Sequence, residues 1–115
     1  RAIASVRDDE AKIQFVEFDE FTVNLPQRHT LKAKLQIEVS DPEVAAVVTK
    51  RKAAIKARIL YVLSSQPMEG IEGIQGKLLM KDAIREAVSA EVNQSEKLQG
   101  IVRDVYFMEF LMVPS

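Results

Sequence analysis

Residues 30–39 read TLKAKLQIEV, and this stretch decides the fold. Leu31, Ala33, Leu35, Ile37 and Val39 alternate with Lys32, Lys34, Gln36 and Glu38. A period of two puts every second side chain on one face, so the stretch is a strand with one face buried and one wet. Upstream, residues 13–25, IQFVEFDEFTVNL, are rich in Phe and Val and stop at Pro26. Pro26, Gln27, Arg28 and His29 form a short turn, so the two strands are expected to pair as a hairpin. Phe15, Phe18 and Phe21 are expected to supply the core layer of the first strand.

Downstream, Asp41-Pro42-Glu43 is a helix start. The Asp side chain can accept from orphan N–H groups, proline has no N–H to lose there, and Glu suits the positive end. A single helix is predicted to run to Ser64 or Ser65. At ~100° per residue, Val44, Val48, Ile55, Ile59 and Val62 share a sector of about 60°, the stripe that faces the sheet. Residues 66–76, QPMEGIEGIQG, break it. A second long helix is predicted over 77–93, with Leu79, Met80, Ala83, Ile84, Ala87 and Val88 as its apolar face.

The last strand is predicted over 101–113, IVRDVYFMEFLMV. Plain alternation puts Tyr106, Met108, Phe110 and Met112 on one face and Val105, Phe107, Glu109 and Leu111 on the other. Both faces are apolar, as expected for a strand in the middle of a sheet or in an interface. The order is ββααβ: an α+β fold with a small antiparallel-dominated sheet and two long helices on one face. Residues 1–12 are small, polar and charged and read as a linker, leaving residues 13–115 as one domain.

Composition excludes several function classes. The 115 residues hold 16 Lys plus Arg against 17 Asp plus Glu, a formal net charge of −1, which does not suit a phosphate-backbone binder. There is no Cys, hence no disulfide, thiolate zinc site or cysteine nucleophile. The single His29 sits in the turn and leaves no two-His metal site. The longest apolar runs, 44–48 and 59–63, are far short of the ~20 residues that span a bilayer. Gly70, Gly73 and Gly76 are spaced GxxGxxG after a helix, with Leu78 where a phosphate loop needs Ser or Thr. They read as helix punctuation, and Glu69 and Glu72 as solvated loop acids. No cofactor is expected.

Charge is segregated. Residues 28–58 hold eight bases and three acids, net +5, and residues 8–20 hold six acids and one base, net −5. One reading is a solvated helix face. The other is a head-to-tail contact between copies, with Glu17, Asp19 and Glu20 against Lys50, Arg51, Lys52, Lys56 and Arg58 of the next copy. No aromatics interleave with these bases, so nucleic acid is not the expected partner.

Several segments together carry a resemblance. They are Phe21-Thr22-Val23-Asn24-Leu25, the LKAKLQIE strand at 31–38, the long helix, Gly76-Lys77 leading into LLMKDAI, and Val105-Tyr106-Phe107-Met108-Glu109-Phe110. In this order and spacing, over residues 13–113, the chain resembles the FliL family of flagellar basal body-associated proteins. The matching motif positions are Phe21, Val23, Asn24, Leu25, Gly76, Val105, Phe107 and Phe110. The resemblance implies a non-enzymatic periplasmic domain with a stomatin-like (SPFH) fold, on a single-pass protein of the bacterial inner membrane. It implies a homo-oligomeric ring around or beside the stator proteins (MotA/MotB or their equivalents) at the basal body, supporting torque and motility. The chain begins with Arg1, and the resemblance implies a transmembrane helix upstream, with residues 1–12 as a membrane-proximal linker. Two other readings stay open: an SPFH-like membrane scaffold unrelated to flagella, and a small ligand-binding α+β domain using the Gly70–Gly76 loop.

Overall fold

The computed structural model describes residues 12–66, 73–96 and 102–114. The linker expectation for 1–12 lies outside them except for Lys12. So does most of the glycine loop.

Three strands form one sheet: β1 (Gln14–Leu25), β2 (His29–Val39) and β3 (Val102–Pro114), in the order β1-β2-β3. Both pairings are antiparallel. The helices are α1 (Pro42–Lys50), α2 (Lys52–Ser64) and α3 (Ile74–Glu96). The α+β class and the β1–β2 hairpin are as expected.

β2 is the central strand. Leu31, Ala33, Leu35, Ile37 and Val39 are all buried beneath the helices. Burying one such aliphatic side chain contributes about 1.5–3 kcal/mol. Val44, Val47 and Val48 of α1, Ile55, Ile59 and Leu63 of α2, and Met80, Ile84, Val88 and Val92 of α3 complete the core. Leu79, expected in that stripe, is exposed instead. The stripe keeps one residue per turn, at 80, 84 and 88, and Leu79 lies off it. α3 begins at Ile74, so Gly76 lies within its first turn, not before it.

The helix predicted over 42–65 is divided at Arg51, whose backbone sits at φ −99°, ψ 20°. The amide of Arg51 still donates to Val47 O at 2.9 Å, and its carbonyl accepts from Ile55 N at 2.9 Å. The two helices therefore share one hydrogen-bonded ladder with a bend in it. No Pro or Gly marks the place, so the sequence gives no warning. The N-cap is as expected: Asp41 Oδ1 accepts from Val44 N at 3.0 Å.

Bulges change which side chains share a face. In β1, Phe18 pairs with Leu35 and Phe21 with Ala33, so Asp19 and Glu20 together oppose Lys34. The extra residue lets Phe18 and Phe21, three apart, both point into the core. Phe15 lies before the bulge on the opposite face and is exposed, contrary to expectation. In β3, Lys34 pairs with Glu109 and Leu35 with Phe107, so Met108 is extra. Glu38 pairs with Asp104 and Val39 with Val102, so Arg103 is extra too. Val105, Phe107, Phe110 and Met112 therefore face the core, and Tyr106, Met108 and Leu111 face out. The grouping of Tyr106 and Met108 with Phe110 and Met112 is thus corrected. β3 is also an edge strand, not a central one, and its second apolar face is open.

The hairpin turn holds Gln27 at φ 62° and Arg28 at φ 59°, left-handed positions that favour glycine. Arg28→Gly is expected to raise stability by roughly 0.5–1 kcal/mol by removing the Cβ clash. Asp41→Ala is expected to lower it by about 1 kcal/mol through loss of the cap. Urea denaturation of the two variants checks both.

Candidate functional site

The charged residues singled out by the sequence fall on two elements. Glu17, Asp19 and Glu20 are exposed on β1, the last two forming its bulge. Glu17 Oε1 accepts from Gln36 Nε2 at 3.2 Å across the strand pair. A shallow depression at this point is lined by Glu17, Phe18, Asp19, Lys34, Leu35 and Met108, where the β1 and β3 bulges flank Lys34.

The basic residues divide by role. Arg51 Nη2 donates to Glu91 Oε2 and Arg58 Nε to Glu91 Oε1, each at 2.7 Å. Glu91 is buried, and the two guanidiniums remain partly exposed. This clasp ties the bend at Arg51 and the middle of α2 to α3. The hydrogen bonds from Arg51 and then Arg58 hold the Glu91 carboxyl below the usual carboxylate range, against the opposing effect of burial. Arg51 and Arg58 thus act within the chain as well as at its surface. Lys50 is exposed in the last turn of α1, next to the bend.

Lys52 and Lys56 sit on the exposed side of α2. Their Nζ atoms lie 5.2 Å from the Phe18 ring centroid and 5.6 Å from that of Phe21. These rings flank the Asp19–Glu20 bulge, so acidic bulge and basic helix flank one edge of the sheet. α3 repeats the arrangement at the other edge. Lys77 Nζ lies 4.9 Å from the Phe110 centroid and Lys81 Nζ 5.5 Å from that of Tyr106. Each such contact contributes about 0.5–1 kcal/mol at an exposed site.

The family-motif positions are mostly structural. Phe21, Val23, Leu25 and Val105 are core residues. Phe107 and Phe110 pack against the core edge to face, with centroids 5.1 Å apart. Asn24 is exposed, and its Oδ1 accepts from Thr30 Oγ1 at 3.4 Å. Gly76 lies in the first turn of α3. His29 Nδ1 lies 2.9 Å from Gln27 O in the turn.

Sequence reasoning missed two networks. One is the Glu91 clasp. Its signal was present: Glu91 continues the 80-84-88 stripe of α3, and Arg51 and Arg58, seven apart, share one face of the preceding helical segment. The other is Glu38, which accepts from Arg103 Nε at 2.8 Å and from the Tyr106 hydroxyl. The Glu38 carboxylate raises the Tyr106 phenol above its ordinary range. A bulge at Arg103 makes this contact, and no spacing announces it.

The exposed large apolar side chains form two groups. Phe15 (54% exposed), Tyr106, Met108 (60%) and Leu111 lie on the sheet face away from the helices. Leu60, Tyr61 (76%), Ile74 (79%), Leu78 and Leu79 (64%) lie on the last turns of α2 and the first turns of α3. They lie toward the ends of α2 and α3 that residues 65–73 join in sequence.

Among the described residues no cluster of His, Cys, Asp and Glu is placed to hold a metal ion. No described helix is long and apolar enough to cross a membrane. What stands out is an open-faced α+β domain with segregated charge and bare apolar surface, features of a domain built for protein contacts. The model of the flagellar basal body-associated protein FliL matches residues 15–112, and the chain belongs to the FliL family. A comparison with curated proteins finds no match. Membership carries an accessory role at the flagellar basal body.

Glu91→Gln is expected to lower stability by about 2 kcal/mol at neutral pH, because two charge-assisted hydrogen bonds weaken. A carboxyl held low in the folded state stabilises above its unfolded pKa, near 4.5, and that contribution fades as pH falls through the lower folded value. The wild-type chain should therefore lose more stability than Glu91→Gln between neutral pH and about pH 3. Chemical denaturation at several pH values measures the convergence.

Proposed function

We propose that this domain is a non-enzymatic motor accessory that self-assembles into a ring around or beside the flagellar stator units and supports torque and motility. The proposal places it in the periplasm, carried by a single inner-membrane span outside this sequence, with residues 1–12 as linker and a stomatin-like ring as its assembled form. Family membership gives the setting. One observation carries the self-assembly: β1 holds Glu17, Asp19 and Glu20 and no base, net −3, whereas α2 holds Lys52, Lys56 and Arg58 and no acid, net +3. Both elements lie at one edge of the sheet, where the acids of one copy can meet the lysines of the next. Membrane tethering would raise the effective concentration, so a weak contact suffices. The stator proteins MotA/MotB or their equivalents, held at the inner rim, are the proposed partners.

Arg51 and Arg58 also hold Glu91, so reversing their charge would disturb the fold along with any contact. Lys52 and Lys56 hold no buried carboxylate and contribute only about 0.5–1 kcal/mol each through Phe18 and Phe21, so they separate the two effects. Lys52→Glu with Lys56→Glu is expected to leave circular dichroism unchanged, to shrink swim rings in soft agar several-fold, and to reduce foci of a fluorescent stator protein while flagella are still built. Normal swimming and normal stator foci in a strain deleted for the gene, under high load as well as low, would sink the motor role.

A further inference from the structure

The bend at Arg51 has no local cause. Residues 49–53 read TKRKA, without Gly or Pro, and Lys, Arg and Ala are good helix formers. The hydrogen bonds from Arg51 N to Val47 O and from Ile55 N to Arg51 O are both intact at 2.9 Å. Local preference alone would carry the helix straight through. Counted at ~100° per residue, a straight helix puts Arg51 inside the ~120° sector of Val44, Val47, Val48, Ile55 and Ile59. All five of those side chains are buried. Arg51 is thus a cation set in an apolar stripe, where it needs a partner. Glu91 holds the matching place on α3. By the same count of ~100° per residue it falls between Met80 and Val88, and it is 5% exposed. Arg51 Nη2 donates to Glu91 Oε2 at 2.7 Å. Arg51 Nε is buried and has no hydrogen-bond partner among the described residues, a cost accepted in reaching Glu91. Arg58 takes the other carboxylate oxygen from the middle of α2, away from the bend.

We infer that the grip of Glu91 on Arg51 makes the bend, and that the pair is a conformational latch between two states of one helical segment. Latched, α1 and α2 run along two axes. Released, they form one straight helix. Arg51 is the positioning residue that sets the angle, whereas Arg58 ties α2 to α3 and leaves the angle alone. A buried ion pair suits this task, because it contributes more to a defined geometry than to net stability. Val48 and Ile55, on either side of the bend, are both fully buried, so neither helix leaves the core to make it. Glu43 and Lys50 are exposed on α1, and Lys52 and Lys56 are exposed on α2. The latch therefore sets the direction in which the first pair of charges faces relative to the second.

Backbone NMR of the chain reads the angle directly. Cα chemical shifts report whether residue 51 is helical, and residual dipolar couplings report whether α1 and α2 share an axis. The wild-type chain is expected to show two axes and a break in helical shifts at Arg51. Arg51→Met keeps a long side chain and a good helix former but removes the cation. It is expected to shift residue 51 to helical values and to bring α1 and α2 onto one axis. Arg58→Met removes a hydrogen bond from the same carboxylate and is expected to keep two axes, which a merely stabilising role for both arginines would not distinguish. Arg51→Met with Glu91→Met leaves no charge in either stripe and should also give one axis. That double variant covers the case in which Arg51→Met alone fails to fold. Two axes in either Arg51 variant would mean that the sheet below imposes the bend, and would overturn the inference. One axis in Arg58→Met would overturn it too. Loss of the folded spectrum in both Arg51 variants would do the same, since the pair would then hold the fold and not the angle.

Discussion

Everything in this domain follows from the need to cover one face of β2. Five of its side chains, at alternate positions from Leu31 to Val39, are inaccessible to solvent. A three-stranded sheet cannot hide that face by itself, so α1, α2 and α3 lie across it. The opposite face has no such cover. Its central strand presents Lys32, Lys34 and Gln36 there, which tolerate water. Its edge strands present Phe15, Tyr106 and Met108, which do so at a cost. That asymmetry, dry on one side and mixed on the other, sets both the stability of the fold and the surfaces left for partners.

Much of the architecture was legible from residues 30–39 and the capping signal at Asp41, because periodicity and N-cap chemistry are local. The misplacements in β3 share one cause. Arg103 and Met108 are bulges, and each inserts a residue that moves the following side chains to the other face. Alternation counted without them puts Tyr106 and Met108 beside Phe110. Phe15 is a different case: it lies before the bulge, and alternation itself sets it opposite Phe18, so grouping it with Phe18 and Phe21 overlooked the period. Bulges answer to pairing across strands, which a single sequence does not display. The division at Arg51 was hidden for a similar reason: the hydrogen-bond ladder runs through it, and the Glu91 clasp that engages Arg51 lies forty residues along the chain.

The candidate site was less legible than the fold. Charge segregation is visible in sequence, but its division of labour is not. Of five basic residues read as one cluster, Arg51 and Arg58 grip Glu91, while Lys52 and Lys56 lie over Phe18 and Phe21. The FliL-family positions tell the same story, since Phe21, Val23, Leu25 and Val105 preserve the core. The exposed charged and apolar residues therefore lie largely outside those positions.

The lysines stacked on the edge strands have a further consequence for the cost of adding a strand to this sheet. The segment at 105–113, VYFMEFLMV, holds a single charge and no proline, the composition of a cross-β nucleus, and it lies on an edge. Edge strands of that kind recruit copies of themselves unless a charge makes the approach costly. Lys77 and Lys81 stand over Phe110 and Tyr106, and Lys52 and Lys56 stand over Phe18 and Phe21, one pair for each edge. Adding a further strand to either side would bring these cations toward the arriving chain's own lysines or strip their water. The chain can thus leave apolar side chains exposed on its edge strands while a fourth strand stays costly to add, as long as both lysine pairs stay charged.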